Sequence, residues 1–247
     1  MRTVVVIPAR YGSSRYPGKP LVGLLGKPMI LWVAELAANA VGNQNVYVAT
    51  ESQRIKEVVE RAGFQAVMTS DNALTGTDRL AQACEDIVAD IYINLQGDEP
   101  LINPLDILKV RDAKLSHMNE VINAYSWISN QEDPSSLHLP KVITSENNGL
   151  VYMSRLPLPG YKEVGCAPAR YKKQVCIYAF TLEELRAFRA FGRKSELEYS
   201  EDIEILRFFE LNKRIFMVEA SLGSLAVDIP EDVARVEAAL LQAEKNA

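Results

Sequence analysis

The chain has 247 residues, 48% of them hydrophobic, and a formal net charge of -5. This apolar content can build a full core, either as one large α/β unit or as one unit with a subdomain, and excludes a disordered chain. The longest apolar runs are too short for a membrane span or a signal peptide, so we expect a cytoplasmic protein. Overall acidity argues against nucleic-acid binding, and three cysteines without CxxC spacing argue against a disulfide or metal-thiolate framework.

The most informative stretch lies at the start of the chain. Residues 4–7 are apolar and β-branched, which predicts a buried strand, and the loop that follows carries Arg10, Arg15 and Lys19. Residues 1–34 contain five basic side chains and no acidic one. In an acidic chain, this local excess of positive charge indicates a small polyanionic ligand, with a solvated basic turn as the alternative. The loop has neither the GxxxxGK[ST] nor the GxGxxG pattern, which disfavours a kinase or a dehydrogenase.

The next part of the chain alternates between predicted strands and helices, which indicates a parallel sheet. The strands are at 45–50, 65–69 and 90–95, and the helices at 29–37, 52–62, 78–87 and 105–115. Three strand-like runs follow, at 121–128, 139–144 and 149–154; they predict an antiparallel extension at about 120–170 that could form a subunit contact. The remaining elements are strands at 173–181 and 214–219 and helices at 182–191, 201–211 and 230–244. We interpret residues 1–247 as a single domain.

Two carboxylates follow predicted strands or turns, Asp98 in residues 96–100 and Asp228 in residues 227–232. In open α/β sheets the ligand lies beyond the carboxyl ends of the strands, so Asp98 should face the basic loop across one crevice. Together the carboxylates could supply the oxygen ligands that Mg²⁺ prefers, although each could instead cap a turn. The first turn of the helix near Asp78 has unpaired N–H groups, which could bind a polar edge of the ligand.

Four stretches taken together resemble one enzyme family. They are residues 7–21, residues 75–81, Gln96-Gly97-Asp98-Glu99-Pro100, and Val227-Asp228-Ile229-Pro230-Glu231-Asp232. These stretches resemble the motifs of the bacterial 3-deoxy-manno-octulosonate cytidylyltransferases, also called CMP-Kdo synthetases. The resemblance implies a three-layer α/β/α nucleotide-diphospho-sugar transferase fold with a mostly parallel sheet, a homodimer formed through the antiparallel extension, and dependence on Mg²⁺. It also implies an enzyme that joins CTP to an eight-carbon acid sugar, giving the CMP-sugar and pyrophosphate for lipopolysaccharide biosynthesis.

The resemblance also implies roles for individual residues. Those that hold the triphosphate are Arg10, Arg15 and Lys19, and those that border the cytosine and ribose are Pro8, Ala9, Thr75, Arg79 and Gln96. Mg²⁺ would be held by Asp98 and Asp228, which with Arg10 and Lys19 form the catalytic set. Arg155 matches a sugar-side motif and suits the sugar carboxylate.

The sequence departs from the family pattern on the sugar side. Gln174 stands where the family usually has a histidine, before a strand that ends in Ile177 and Tyr178, and Glu204-Ile205 replaces the usual Glu-Gln. The sugar-binding candidates are therefore Arg155, Gln174, Tyr178 and Glu204. Extra acidic residues at 201, 202 and 204 would suit an ammonium group, as in the 8-amino-3,8-dideoxy sugar that some family members use. The alternatives are a cytidylyltransferase for another acid sugar, such as a sialate, and a catalytically idle nucleotide-binding protein.

Overall fold

A computed structural model describes residues 1–12, 16–130, 132–223 and 225–246. The strands are β1 Thr3–Pro8, β2 Gly23–Leu24, β3 Lys27–Pro28, β4 Val46–Thr50, β5 Gln65–Met68, β6 Ile91–Leu95, β7 Val121–Trp127, β8 Lys141–Thr144, β9 Leu150–Ser154, β10 Lys172–Phe180 and β11 Ile215–Glu219. The α-helices are α1 Met29–Val41, α2 Gln53–Arg61, α3 Gly76–Ala83, α4 Pro104–Ser116, α5 Leu182–Ala190, α6 Glu196–Glu201, α7 Arg207–Glu210 and α8 Asp232–Asn246. Most predicted elements lie within a few residues of these bounds.

The main sheet has nine strands and is mostly parallel. Seven of them follow the order β11-β7-β10-β6-β1-β4-β5. Neighbouring strands are parallel except at β10, which runs antiparallel to both β6 and β7. The fold is therefore the predicted α/β class. Within the predicted extension at 120–170, β7 belongs to this central sheet, whereas β8 and β9 form an antiparallel hairpin joined to the start of β10.

Helices cover both faces of the sheet. On β1, the fully buried side chains of Val4 and Val6 face the layer that contains α3, α5 and α7, and those of Val5 and Ile7 face α1, α2 and α4. Each fully buried aliphatic side chain contributes roughly 1.5–3 kcal/mol to the free energy of folding. Because β1 is buried on both faces, it has a continuous apolar sequence, and this is why the sequence predicted it. The apolar strand fixes the position at which the basic loop begins.

A smaller apolar cluster lies apart from the two main layers. It joins the terminal helix α8 to β2 and α1 through Val236, Leu240, Leu24 and Met29. The main-chain N–H of Leu25 also donates to the Glu237 carboxylate at 2.8 Å. As a result, α8 is anchored beside the basic loop, and the turn that precedes α8 is held near the same end of the sheet.

The predicted helix at 201–211 is wrong, because the chain breaks at Asp202. The short helix α6 ends there with Asp202 in the left-handed region (φ 50°), and a 3₁₀ turn then leads into α7. Sequence periodicity could not detect the break, because its cause is the long-range pairing of the residues that follow it. Within the described residues, no helix is long and apolar enough to cross a membrane.

Candidate active site

A cavity of about 330 Å³ opens at the carboxyl ends of β1 and β6. This is the end of the sheet at which α/β proteins bind ligands. Its walls contain eight of the residues that the sequence assigned to the nucleotide and metal: Pro8, Ala9, Arg10, Lys19, Thr75, Arg79, Gln96 and Asp98. Asp228 lines the same cavity. Arg15 was also assigned to the triphosphate, but it lies outside the described residues.

Lys19 brings the two predicted metal-binding carboxylates together. Its Nζ lies 2.7 Å from Oδ2 of Asp98 and 3.6 Å from Oδ1 of Asp228. Burial of the ammonium lowers the pKa of Lys19, but the two carboxylates more than offset this effect and leave the pKa above its ordinary value. Two residues that are 130 positions apart in sequence therefore share one cation at the mouth of the cavity.

The turns that carry these carboxylates are tied to each other through the main chain. The N–H of Val227 donates to the carbonyl oxygen of Asp98 at 3.0 Å. The Asp232 carboxylate accepts the N–H groups of Asp228 and Ile229 at 2.9 and 3.1 Å, which fixes the second turn. Gly97 is needed in the first turn, because a Cβ there would lie 3.3 Å from the Pro8 carbonyl oxygen and from side chains on α1 and β1. These main-chain contacts therefore hold the two turns, with the carboxylates that they carry, next to each other.

The N-terminus of α3 forms another wall of the cavity. Thr75 caps this helix, with its hydroxyl oxygen accepting the N–H of Asp78 at 3.1 Å. The N–H groups of Gly76 and Thr77, expected from the sequence to be available to a ligand, instead donate to the Glu204 carboxylate at 3.0 and 2.8 Å. Burial raises the pKa of the Glu204 carboxyl, although these donors oppose the shift. Glu204 therefore occupies the helix N-terminus itself while lining the cavity.

A second cavity, of about 520 Å³, adjoins the first and shares Gln96, Asp98, Asp202, Glu204 and Asp228 with it. It contains all four sugar-side candidates: Arg155, Gln174, Tyr178 and Glu204. The amide of Gln174 donates to the Tyr178 hydroxyl and to Oδ1 of Asn123, both at 3.2 Å. Burial raises the pKa of the Tyr178 phenol well above its ordinary value, so this hydroxyl stays neutral and can donate or accept hydrogen bonds.

Arg155 lines the second cavity, but its guanidinium already has partners. All three guanidinium nitrogens donate to main-chain carbonyls: Nε to Glu201 at 2.5 Å, one Nη to Leu137 at 2.7 Å and the other to Asp202 at 3.1 Å. The Glu201 carboxylate accepts the Ser154 hydroxyl and the Arg155 N–H. Arg155 and Glu201 thus join the β9 end to α6, an arrangement that sequence patterns do not reveal.

The cavity residues that no sequence motif marks include Lys194 and His138. Lys194 lines the first cavity and pairs with the Asp202 carboxylate at 2.9 Å. His138 is exposed and lines the second cavity. Neither residue lies in a recognisable motif, because each comes from a loop that only the tertiary fold brings to the site.

Comparison with known proteins supplies the family. Residues 4–215 match the family model described as "Cytidylyltransferase". This protein belongs to the cytidylyltransferase family. A cytidylyltransferase of Shewanella baltica (strain OS195), named for 8-amino-3,8-dideoxy-manno-octulosonate, is 39% identical over 96% of this chain and 98% of its own length. The Escherichia coli 3-deoxy-manno-octulosonate cytidylyltransferase is 37% identical over 98% and 97% of the two chains.

Solved structures of cytidylyltransferases agree with the fold. The structure of CMP:2-keto-3-deoxy-manno-octonic acid synthetase complexed with CTP superposes with a TM-score of 0.90 and 36% identity, covering 98% of this chain and 99% of the other. A cytidylyltransferase from Leptospira borgpetersenii has a TM-score of 0.64 at 19% identity, covering 98% of this chain and 87% of its own. The first match covers nearly the whole length of both chains and agrees with the family assignment. The second match, at 19% identity, shows the fold alone.

Proposed function

We propose that this protein joins CTP to a 3-deoxy-octulosonate, releasing pyrophosphate and forming the CMP-sugar used in lipopolysaccharide biosynthesis. The observation that carries this proposal is the convergence of Lys19, Asp98 and Asp228 where the two cavities meet. A nucleoside triphosphate in the first cavity and an acid sugar in the second would place their reacting atoms beside these three groups. We place the reaction in the cytoplasm, where CTP is made.

In this reaction the anomeric hydroxyl of the sugar attacks the α-phosphorus of CTP. A new O–P bond forms, the bond between the α-phosphorus and the oxygen that bridges it to the β-phosphorus breaks, pyrophosphate leaves with that oxygen, and the hydroxyl proton passes to water. The enzyme need only orient the two substrates and stabilise the charge on the phosphates, so no covalent enzyme intermediate is required. We assign charge stabilisation to Arg10, Arg15 and Lys19, and contacts with the cytosine and ribose to Pro8, Ala9, Thr75, Arg79 and Gln96.

The carboxylates of Asp98 and Asp228 fit a magnesium site. They lie around one cation, the Lys19 ammonium, and their oxygens are the hard ligands that Mg²⁺ prefers. The part of the chain that the structure describes contains no group of three or more acidic, histidine or cysteine side chains able to hold a metal. Mg²⁺ would therefore bind through the two aspartates and the substrate phosphates, and when bound it would neutralise charge on the phosphates.

We further propose that the preferred sugar carries an 8-amino group. Of the three acidic residues that the sequence nominated for an ammonium, Glu201 is engaged with β9 and Glu204 with α3. The third, Asp202, has a side chain that is 61% exposed, lines both cavities and pairs with the Lys194 ammonium. The ammonium of the sugar could replace that of Lys194, whereas a hydroxyl would lose the charge pairing.

A pyrophosphate-release assay with CTP tests both proposals. We expect turnover with both eight-carbon sugars, faster with the 8-amino sugar, and slower turnover with a sialate. In Asp202→Asn, kcat/KM should fall about tenfold for the 8-amino sugar and less than threefold for the 8-hydroxy sugar. Glu196→Gln, an exposed change on α6, the helix that ends next to Asp202, is the matched control. Equal losses for both sugars would refute the assignment of Asp202, and CTP binding without any turnover would favour the idle nucleotide-binding protein.

We also propose a homodimer formed through the extension at about 120–170. The hairpin and the segment after it expose large apolar side chains, among them Val151, Leu156 and Val164. Exposed apolar groups on one projecting segment are typical of a subunit contact. Sedimentation should give about twice the 27.5 kDa chain mass, and Val151→Asp should give the monomer mass. A monomer in the unsubstituted protein would refute this proposal.

A further inference from the structure

Glu51 contacts residues on two sides of the first cavity, and no motif in the sequence marked it. It follows β4, and its side chain is 15% exposed. Oε1 accepts the main-chain N–H of Tyr11 at 2.7 Å, while Oε2 lies 3.0 Å from an Nη of Arg79. One carboxylate therefore contacts both the residue next to Arg10 and the guanidinium of Arg79.

The negative charge of Glu51 compensates Arg79, whose guanidinium is almost fully buried. Burial lowers the pKa of Arg79, Glu51 opposes this effect, and Arg10 adds to it. The other partners of the Arg79 guanidinium, the Thr69 hydroxyl and the Ser70 carbonyl, are neutral. Of the two carboxylates that act on Arg79, Glu51 has a larger effect than Asp71, so its loss would leave Arg79 and Arg10 beside the same cavity with much less compensating negative charge.

The contact with Tyr11 fixes the start of the basic loop. The Tyr11 carbonyl accepts the N–H of Gly18 at 2.8 Å, and the Tyr11 hydroxyl accepts an N–H of Arg54 at 3.0 Å. Tyr11 is thus an anchor between the strand end and the turn that carries Lys19. Arg10 directly precedes this anchor, and its exposed side chain lines the first cavity.

We propose that Glu51 is a positioning residue for the nucleotide, holding Arg10 and Arg79 in the arrangement that binds a nucleoside triphosphate. The inference rests on the proposed function, since it takes CTP as the ligand of the first cavity. Glu51 does not line the second cavity. Its loss should therefore weaken CTP binding and leave the handling of the sugar unchanged.

The test compares Glu51→Gln, which keeps the size and one acceptor but removes the charge, with Glu51→Asp, which keeps the charge on a shorter side chain. The matched control is Glu57→Gln, an exposed change on α2. Calorimetry with CTP and Mg²⁺, in the absence of sugar, should give a Kd about tenfold higher for Glu51→Gln, an intermediate Kd for Glu51→Asp, and an unchanged Kd for the control. The KM for the sugar should stay within twofold in all three variants.

The other outcomes would overturn either the role of Glu51 or the proposed function on which it rests. A Kd for CTP within twofold of the unsubstituted protein in Glu51→Gln would overturn the proposal, as would an equal rise in the KM for the sugar. Unfolding of both Glu51 variants at room temperature would also overturn it, because Glu51 would then serve the fold rather than the nucleotide. If the unsubstituted protein binds no CTP, the proposed function itself fails, and that result is distinct from a failure at Glu51 alone.

Discussion

Replacing Arg207 by methionine should destabilise the fold strongly, because Arg207 is a fully buried cation between two buried carboxylates. Its guanidinium lies 2.9 Å from Oδ1 of Asp78 and 2.7 Å from Oε1 of Glu198. It also donates to the Phe188 carbonyl and lies over the Phe188 ring. The methionine would leave two carboxylates buried without a counter-charge.

The size of the effect follows from the burial of all three groups. Removing one partner of a buried ion pair costs about 3–5 kcal/mol of folding free energy. For a chain of this length, each kcal/mol lowers the melting temperature by roughly 2–4 °C, so Arg207→Met should melt about 10 °C lower. The matched control is Arg186→Met, because the Arg186 pair with Glu85 is exposed to solvent, which screens its charges, and its loss should change the stability little.

The assay is urea unfolding followed by circular dichroism, together with a thermal scan. The triple variant Asp78→Asn, Glu198→Gln, Arg207→Met should recover part of the loss, since it removes the unpaired charges as well. An unfolding free energy of Arg207→Met within about 1 kcal/mol of that of the unsubstituted protein would contradict this prediction, as would an equal loss of unfolding free energy in Arg186→Met.

Two further predictions concern the site and the cysteines. Lys19→Ala should raise the KM for CTP about tenfold and change the KM for the sugar less, because Lys19 lines the first cavity. Steady-state kinetics measures both constants. A larger change in the KM for the sugar would assign the basic loop to the sugar instead of CTP. At pH 8 a thiol reagent should modify Cys166 quickly and the other two cysteines slowly. Cys166 is exposed and Cys84 is buried. Cys176 is half-buried in the wall of the second cavity, but desolvation raises the pKa of its thiol, as it does for Cys84, and keeps the less reactive protonated form. Persistence of the fast phase in Cys166→Ser would contradict this assignment.

The sequence predicted the parts of the site that depend on local pattern. The apolar run of β1 and the basic loop after it are contiguous, and the rule that ligands lie beyond the carboxyl ends of parallel strands placed Asp98 opposite them. Asp228 was assigned from the motif at residues 227–232. The hydrogen bond from the Val227 N–H to the Asp98 carbonyl oxygen holds its turn beside Asp98.

Residues whose partners are distant in sequence could not be predicted in this way. Glu204 pairs with the N-terminus of α3, 127 and 128 positions away, and Arg207 pairs with Asp78, 129 positions away. α6 ends at Glu201 and the chain turns at Asp202, between Arg155 and these long-range pairs, and helical periodicity contains no information on any of those contacts. The partners of Arg155 could not be predicted either. They are main-chain carbonyl groups, which almost every residue has, so the sequence does not indicate which of them Arg155 contacts.

We propose that Asp98 and Asp228 together hold the metal ion that binds with CTP. The most direct test of this claim is the binding of Mn²⁺, in place of Mg²⁺, followed by electron paramagnetic resonance with and without CTP. The unsubstituted protein should bind Mn²⁺ tightly only with CTP present, and Asp98→Asn and Asp228→Asn should each weaken that binding at least tenfold. Unchanged Mn²⁺ binding with CTP in either variant would contradict the claim for that aspartate.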